Sequence, residues 1–195
     1  MSFISGESGK DSWEKIITDE GLAKFAKLLK EYHETISGFK PDKDSAWAYT
    51  KGDLKGDEIM CHGDFGPWNI VWQDSEPVGI VDWDFTLPAS PMYDILYALE
   101  YSIPFRDDEA AIKWHHFPKV PNRKHRIEVF LKAYGHSPIK NIAQKVAEEQ
   151  RTAAKYEKYL ADRGLEPQAS WVASGDLEEI EKRAKWTEEN KKLFE

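Results

Sequence analysis

From residue 19 to 37 the apolar positions Leu22, Phe25, Ala26, Leu29, Tyr32 and Ile36 return every three or four residues, with Lys and Glu between them. That period puts them on one face of a helix, predicted over Asp19 to Ser37 with His33 in its stripe and Gly38 as its stop. Lys40 to Asp57 loses the period, mixes Pro, Gly and charge, and reads as a loop. Ile59 to Cys61 is a short apolar run. Beyond it, Asn69-Ile70-Val71-Trp72 and Val78-Gly79-Ile80-Val81 flank the polar Gln73 to Pro77, which predicts a β-hairpin. Ser90 as cap with Pro91 in the first helical position then starts a helix carrying Ile95, Leu96, Ala98 and Leu99 to about Ser102.

A loop with Pro104, Pro118 and Pro121 follows. Arg123 to Tyr134 is predicted as a helix that ends at Gly135. Ser137-Pro138 repeats the start signal and opens a long helix, striped by Ile139, Ile142, Val146, Ala153, Tyr156 and Leu160 and ended by Gly164. Asp176 with Glu179 forms a capping box for a last helix. Its Glu178 to Lys192 stretch reads as a solvated face. The pattern predicts an α+β chain, mainly α, with one hairpin and no internal repeat.

Composition narrows the function classes. The 195 residues include eight Trp and are 41% apolar, a globular make-up with room for a real core. The net charge of −8 argues against wrapping nucleic acid, whose phosphates need Lys and Arg. It suits either a cationic ligand or plain solubility. A single cysteine, Cys61, excludes an internal disulfide and fits a reducing, cytoplasmic setting. No apolar run is long enough to span a bilayer, and the first residues lack the pattern of a signal peptide.

The polar chemistry is concentrated in two knots. The first, Cys61-His62-Gly63-Asp64-Phe65-Gly66-Pro67-Trp68-Asn69, places an Asn five residues after an Asp. The second is Asp82-Trp83-Asp84, on the far side of the hairpin. A hairpin sends the chain out and back, so Asn69 and Asp82 return to one end of the ribbon beside Asp64. Carboxylates plus an amide oxygen suit phosphoryl transfer: one carboxylate takes the proton of an attacking hydroxyl, and the others offer oxygen ligands to magnesium. A weaker reading makes His62 and Asp64 mere turn caps. His115-His116 lacks a third ligand nearby and reads as loop, and Cys61 as a buried structural thiol. Trp68, Trp72 and Trp83 suit either ligand stacking or core packing. Gly6-Glu7-Ser8-Gly9-Lys10 fails as a P-loop, because Ile4 and Asp11 stand where Gly and Ser or Thr are needed, and reads as a flexible loop.

His62-Gly63-Asp64-Phe65-Gly66-Pro67-Trp68-Asn69, followed by Val78-Gly79-Ile80-Val81-Asp82-Trp83-Asp84, resembles the catalytic core of the aminoglycoside phosphotransferase family, which has a protein-kinase-like fold. Leu28-Leu29-Lys30-Glu31-Tyr32-His33 resembles the family's Leu-His helix end, and Pro91-Met92-Tyr93-Asp94 the segment after the metal-binding Asp. Within the family the chain most resembles the short, trifolitoxin-immunity-like members. The resemblance implies a single kinase-like C-terminal lobe over residues 1–195, with a catalytic core at 1–135 and a helical extension at 136–195. It implies transfer of the ATP γ-phosphoryl to a hydroxyl of a small molecule, aminoglycoside-like or other, with Mg2+. Asp64 would be the catalytic base, and Asn69 and Asp82 would hold the metal and the nucleotide phosphates. His62 would shape the loop. Asp94 would brace that loop, or else only complement a helix dipole. Asp84 is a secondary metal ligand or a solvated acid.

The family's N-terminal lobe, with its phosphate-pairing Lys, finds no counterpart before Cys61, and Met1 to Glu7 resembles the end of the inter-lobe hinge. The expectation is therefore an apolar face that binds another copy of the chain or a separate N-lobe partner, and weakened catalysis. The alternative is a non-catalytic ligand-binding or toxin-immunity-type protein.

Overall fold

The computed structural model describes residues 4–42, 44–47 and 54–195, so the loop expected at 40–57 lies partly outside the described residues. A 3₁₀ turn at Gly9–Asp11 leads into α1 (Ser12–Lys15) and α2 (Asp19–Ile36). Strand β1 (Ile59–Cys61) precedes a 3₁₀ turn at Pro67–Asn69, β2 (Ile70–Gln73), β3 (Glu76–Ile80) and β4 (Leu87–Ala89). Helices α3 (Met92–Ser102), α4 (Asp108–Trp114), α5 (Arg123–Tyr134), α6 (Ile142–Ala161), α7 (Gln168–Ala173) and α8 (Asp176–Glu189) complete the order, with a last 3₁₀ turn at Lys191–Leu193. The fold is mainly α, with two small antiparallel β pairs.

Helix α2 forms where the apolar stripe predicts it. The Thr18 hydroxyl accepts from the Gly21 N–H at 3.1 Å, and Asp19 and Glu20 sit in the first turn where the dipole favours acids. Its buried face packs on α5, which ends at Gly135 in the left-handed region at φ 87°. The hairpin of β2 and β3 is tighter than its polar Gln73–Pro77 segment suggests: Gln73 pairs with Glu76, and Asp74 adopts φ 53° in a two-residue turn. Strand β1 pairs with β4, Cys61 opposite Leu87, a ribbon that the sequence pattern conceals because Pro88 removes an N–H from the run. The segment expected to be a flexible loop is instead tied to the hairpin, since Glu7 and Trp72 exchange two backbone hydrogen bonds of 2.8 Å.

Three helix starts shift. Pro91 takes the cap position of α3, one residue later than the pattern implies, and the Met92 N–H reaches Ser90 Oγ at 3.4 Å. Ser137-Pro138 does not open α6. Asn141, left-handed at φ 53°, starts that helix at Ile142 and leaves Ile139 outside it. The capping box at Asp176 and Glu179 is absent: Gly175, at φ 94°, caps α8 through its backbone and Asp176 is already helical. Helices α4 and α7 are short and lack an apolar stripe, α4 burying only Ala111. Nor is α8 merely solvated, for it buries Ile180, Ala184 and Thr187.

Among the described residues a large apolar cluster joins α2, α3, α5 and α6, and a smaller one lies around Ile59, Cys61 and Leu87. Ile16, Leu22, Phe25 and Leu29 meet Ile95 and Leu99 of α3, Phe130 of α5, and Ile142 and Val146 of α6. Phe194 stacks on Phe105 with ring centroids 4.2 Å apart. Arg126 fastens the layers, donating at 2.7 Å to the Ile16 and Ile17 carbonyls and at 2.9 Å to that of Ser102.

Candidate active site

Between β1 and β2 the chain makes a buried loop, His62 to Pro67. Gly63 is left-handed at φ 83°, and a Cβ there would lie 2.0 Å from the Phe85 carbonyl oxygen, so only glycine fits. Asp94, in the first turn of α3 and wholly buried, receives the loop. Its Oδ2 accepts from the His62 N–H at 2.7 Å, and its Oδ1 from the Gly63 N–H at 2.9 Å. His33 Nε2 of α2 lies 3.1 Å from the same Oδ2, and His33 Nδ1 lies 2.8 Å from the Tyr134 hydroxyl. The carboxylate thus joins α2, α3 and the loop. His62 Nε2 donates to the Val81 carbonyl at 3.0 Å, and its Nδ1 accepts from the Asp64 N–H at 3.2 Å. That tautomer pins the loop to the residue before Asp82.

Asp64 is nearly buried, and three side chains donate to its carboxylate. The Tyr97 hydroxyl of α3 bonds Oδ1, while Asn69 Nδ2 at 2.8 Å and Trp68 Nε1 at 3.3 Å bond Oδ2. Burial pushes the Asp64 carboxyl above its usual range, against the pull of the Tyr97 and Trp68 hydrogen bonds. The result is a fixed carboxylate with enhanced basicity. Asn69 Nδ2 also donates to the Asp64 carbonyl at 2.9 Å, so the amide oxygen is turned away from Asp64.

The Val81 N–H donates to the Asn69 carbonyl at 2.9 Å and Ile70 pairs with Ile80, so Asn69 and Asp82 leave the ribbon at the same end. Asp82 is exposed and left-handed at φ 64°, unusual for a non-glycine residue. A carboxylate and an amide oxygen at one ribbon end fit the oxygen preference of magnesium. Asp84 is exposed and lines a different cavity, with Tyr32, Met60, Trp83 and Thr86. His33, Cys61 and Asp94 bring ligand atoms within 4.8 Å of one another, but each already has hydrogen-bond partners. Burial, then Asp94, drives the Cys61 thiol far up, which keeps it protonated.

Asp64 opens on a cavity of about 420 Å³, within the roughly 300–1,000 Å³ of small-molecule sites. Helix α3 contributes Tyr93, Tyr97, Glu100 and Tyr101; α6 to α8 contribute Tyr156, Glu157, Trp171, Asp176 and Arg183. Burial, then Asp176, raises the Glu157 carboxyl to about 7. The His115 ring is buried against Trp13 and Tyr101, with Nδ1 2.8 Å from the Tyr101 carbonyl, so it serves packing. Sequence reasoning missed Tyr97, although Asp94, Tyr97 and Tyr101 recur at helical spacing opposite the Ile95–Leu99 stripe.

Among the described residues, no helix is long and apolar enough to cross a membrane. The chain is 29% identical over 138 residues to the trifolitoxin immunity protein of Rhizobium leguminosarum bv. trifolii, covering 69% of this chain and 51% of that protein. It therefore spans about half the length of that relative. Residues 18–123, more than half of the chain and the whole stretch from α2 to the start of α5, match the phosphotransferase enzyme family. The helical lobe with its small hairpin is kinase-like, and the chain belongs to the phosphotransferase enzyme family.

Proposed function

We propose that the chain acts in transfer of the γ-phosphoryl group of ATP to a hydroxyl of a small molecule. The observation that carries this reading is the seat of Asp64: a buried carboxylate, oriented by three donors, at the floor of a cavity of small-molecule size. Asp64 takes the proton of the acceptor hydroxyl as its oxygen attacks the γ-phosphorus, while the bond to the β–γ bridging oxygen breaks and ADP leaves. A positioned general base contributes roughly 10²–10⁴ in rate. Oδ1 accepts one hydrogen bond, from Tyr97, and Oδ2 accepts two, from Asn69 and Trp68, so the acceptor approaches the open side of Oδ1 or displaces a donor. The Asn69 amide oxygen and the Asp82 carboxylate would hold Mg2+, which when bound supplies positive charge to the phosphoryl oxygens. His62 and Asp94 keep the loop in place.

Calorimetric titration of Mg-ATP into wild type and Asp82→Asn tests the reading. Binding that the substitution abolishes supports it, and no binding at millimolar nucleotide overturns it. The relative's name as an immunity protein lends weak support to a second reading, in which the site binds a ligand and transfers nothing. Turnover of ATP with a hydroxyl acceptor, lost in Asp64→Asn while Mg-ATP still binds, decides for transfer.

A further inference from the structure

Apart from the exposed Arg163, which donates to the Tyr159 carbonyl at 2.9 Å, the arginines of this chain fall into two groups. Arg126 directs its guanidinium at the Ile16, Ile17 and Ser102 carbonyls, and Arg123 bonds the Pro104 and Arg106 carbonyls and pairs with Asp108. Arg151 makes forked bonds to Glu181 and Glu188. These are structural arginines whose donors are used. Arg106 and Arg183 differ. Their side chains are only 16% and 18% exposed, yet among the described residues neither donates a hydrogen bond. Arg106 Nε and Nη2 and Arg183 Nε are shut off from solvent without a hydrogen-bond partner. Those buried nitrogens are held by charge alone, and the remaining guanidinium nitrogens, which are not shut off in this way, are the ones an acceptor in the cavity would meet.

The pair sits where two cavities adjoin. Both residues line the cavity that opens on Asp64 and also a neighbouring one of about 550 Å³, reached past α4 and α8. Their shared counter-charge is the buried Glu100, 3.2 Å from Arg183 Nε and 3.8 Å from Arg106 Nη2. Glu149 adds no second charge, because burial and then Glu100 raise its carboxyl well above the usual range. Asp176 also lines both cavities, beside Glu157. Burial, and next to it the charge of Arg183, lowers the Arg106 pKa, whereas Arg183, against the pull of burial, is raised by Glu100, Tyr101 and Asp176, so Arg106 is the less compensated of the two. Two guanidinium forks offer the planar donor geometry that carboxylates and phosphates accept in pairs.

We infer that Arg106 and Arg183 form an oxyanion subsite in the cavity of Asp64, and that the ligand there is a small hydroxy compound carrying a carboxylate or phosphate group. That this ligand is the phosphoryl acceptor rests on the function proposed above, whereas the binding does not. The subsite gives the cavity two poles. Asp64 faces the hydroxyl, and the arginines hold the anionic end.

The test uses glycerate, glycerol 3-phosphate and glycerol, which share hydroxyl groups and differ in the anion. Each is titrated at constant ionic strength into the full chain without nucleotide or magnesium. Calorimetry is the readout, supported by the fluorescence of Trp68 and Trp171 in the cavity wall. At least one anion is expected to bind at least tenfold tighter than glycerol, and which one identifies the source of the oxyanion. Arg106→Gln and Arg183→Gln each reduce that preference at least tenfold, Arg183→Lys retains part of it, and Lys124→Gln leaves it unchanged. If neither anion outbinds glycerol in the wild type, the inference falls without recourse to any variant. Preference that survives both Gln substitutions also overturns it. Anion binding without Mg-ATP binding would sink the phosphotransfer reading and leave the subsite standing. The reverse result would do the opposite.

Discussion

Replacing Asp94 by alanine separates two roles that an acid at the start of a helix can play. If the carboxylate only complements the α3 dipole, its loss costs about 0.3–1 kcal/mol. The geometry demands more. With Asp94 wholly buried, the His62 and Gly63 N–H groups, bonded at 2.7 and 2.9 Å, would be stranded in a dry interior. Each buried group left unsatisfied costs about 1–3 kcal/mol, which gives roughly 2–6 kcal/mol for the pair. His33 Nε2 loses its partner as well. Asp94→Ala should therefore destabilise the fold by about 3–5 kcal/mol. Urea unfolding followed by tryptophan fluorescence measures this, with Asp84→Ala as an exposed control expected within about 0.5 kcal/mol of wild type. Amide exchange at His62 and Gly63 should accelerate in the variant more than in the α5 core. A loss under about 1 kcal/mol would refute the bracing argument and leave the dipole alone.

Other outcomes follow from neighbouring geometry. Gly63→Ala drives a Cβ to 2.0 Å from the Phe85 carbonyl oxygen at a left-handed position, so the loop must move and a thermal melt should show a fall larger than that for Gly135→Ala, which is also left-handed but meets only the flexible end of Lys30 at 3.6 Å. Tyr97→Phe removes a donor that holds the Asp64 carboxyl down, so the acid limb of the transfer-rate profile should shift to higher pH. The Glu157 carboxyl is raised to about 7 in the fold, so its contribution to stability is complete below its ordinary value and is lost as pH rises through about 7. Glu157→Gln should gain on wild type in urea titrations above pH 7, and equal loss of stability in both proteins would contradict the assignment. Ile4 and Val78 are each 40% exposed beside the hairpin; if this apolar patch pairs two copies of the chain, sedimentation at high concentration shows self-association that Val78→Lys weakens, and a monomer at high concentration refutes it.

How much was legible depended on how local the signal was. The stripe of α2, the stop at Gly135 and the alternation around Asp74 reflect local physics, and they recur in the fold within a residue or two. Asp64, Asn69 and His62 lie within eight residues, so one tight loop brings them together. For Asp94 the bracing role was one of two readings, and the contact that decides between them joins positions 32 residues apart, beyond any local pattern. Strand β4 hid behind Pro88, and α4 and α7 are too short for a period to emerge. The capping motifs at Ser137 and Asp176 failed because left-handed Asn141 and Gly175 set those helix starts through the backbone. Arg106 and Arg183 lie 77 positions apart with no shared pattern, and only packing brings both to Glu100.

The walls of the Asp64 cavity come from parts of the gene far from its floor. The His62–Asn69 loop lies in one short stretch, while Trp171, Asp176 and Arg183 lie a hundred codons further on. Changes in α7 and α8 can therefore remodel what the cavity admits and leave the loop, its Asp94 anchor and the hairpin untouched. Heredity can edit selectivity and chemistry separately here. An exchange of residues 165–189 between relatives would pass on a preference for ligand without rebuilding the centre that acts on it.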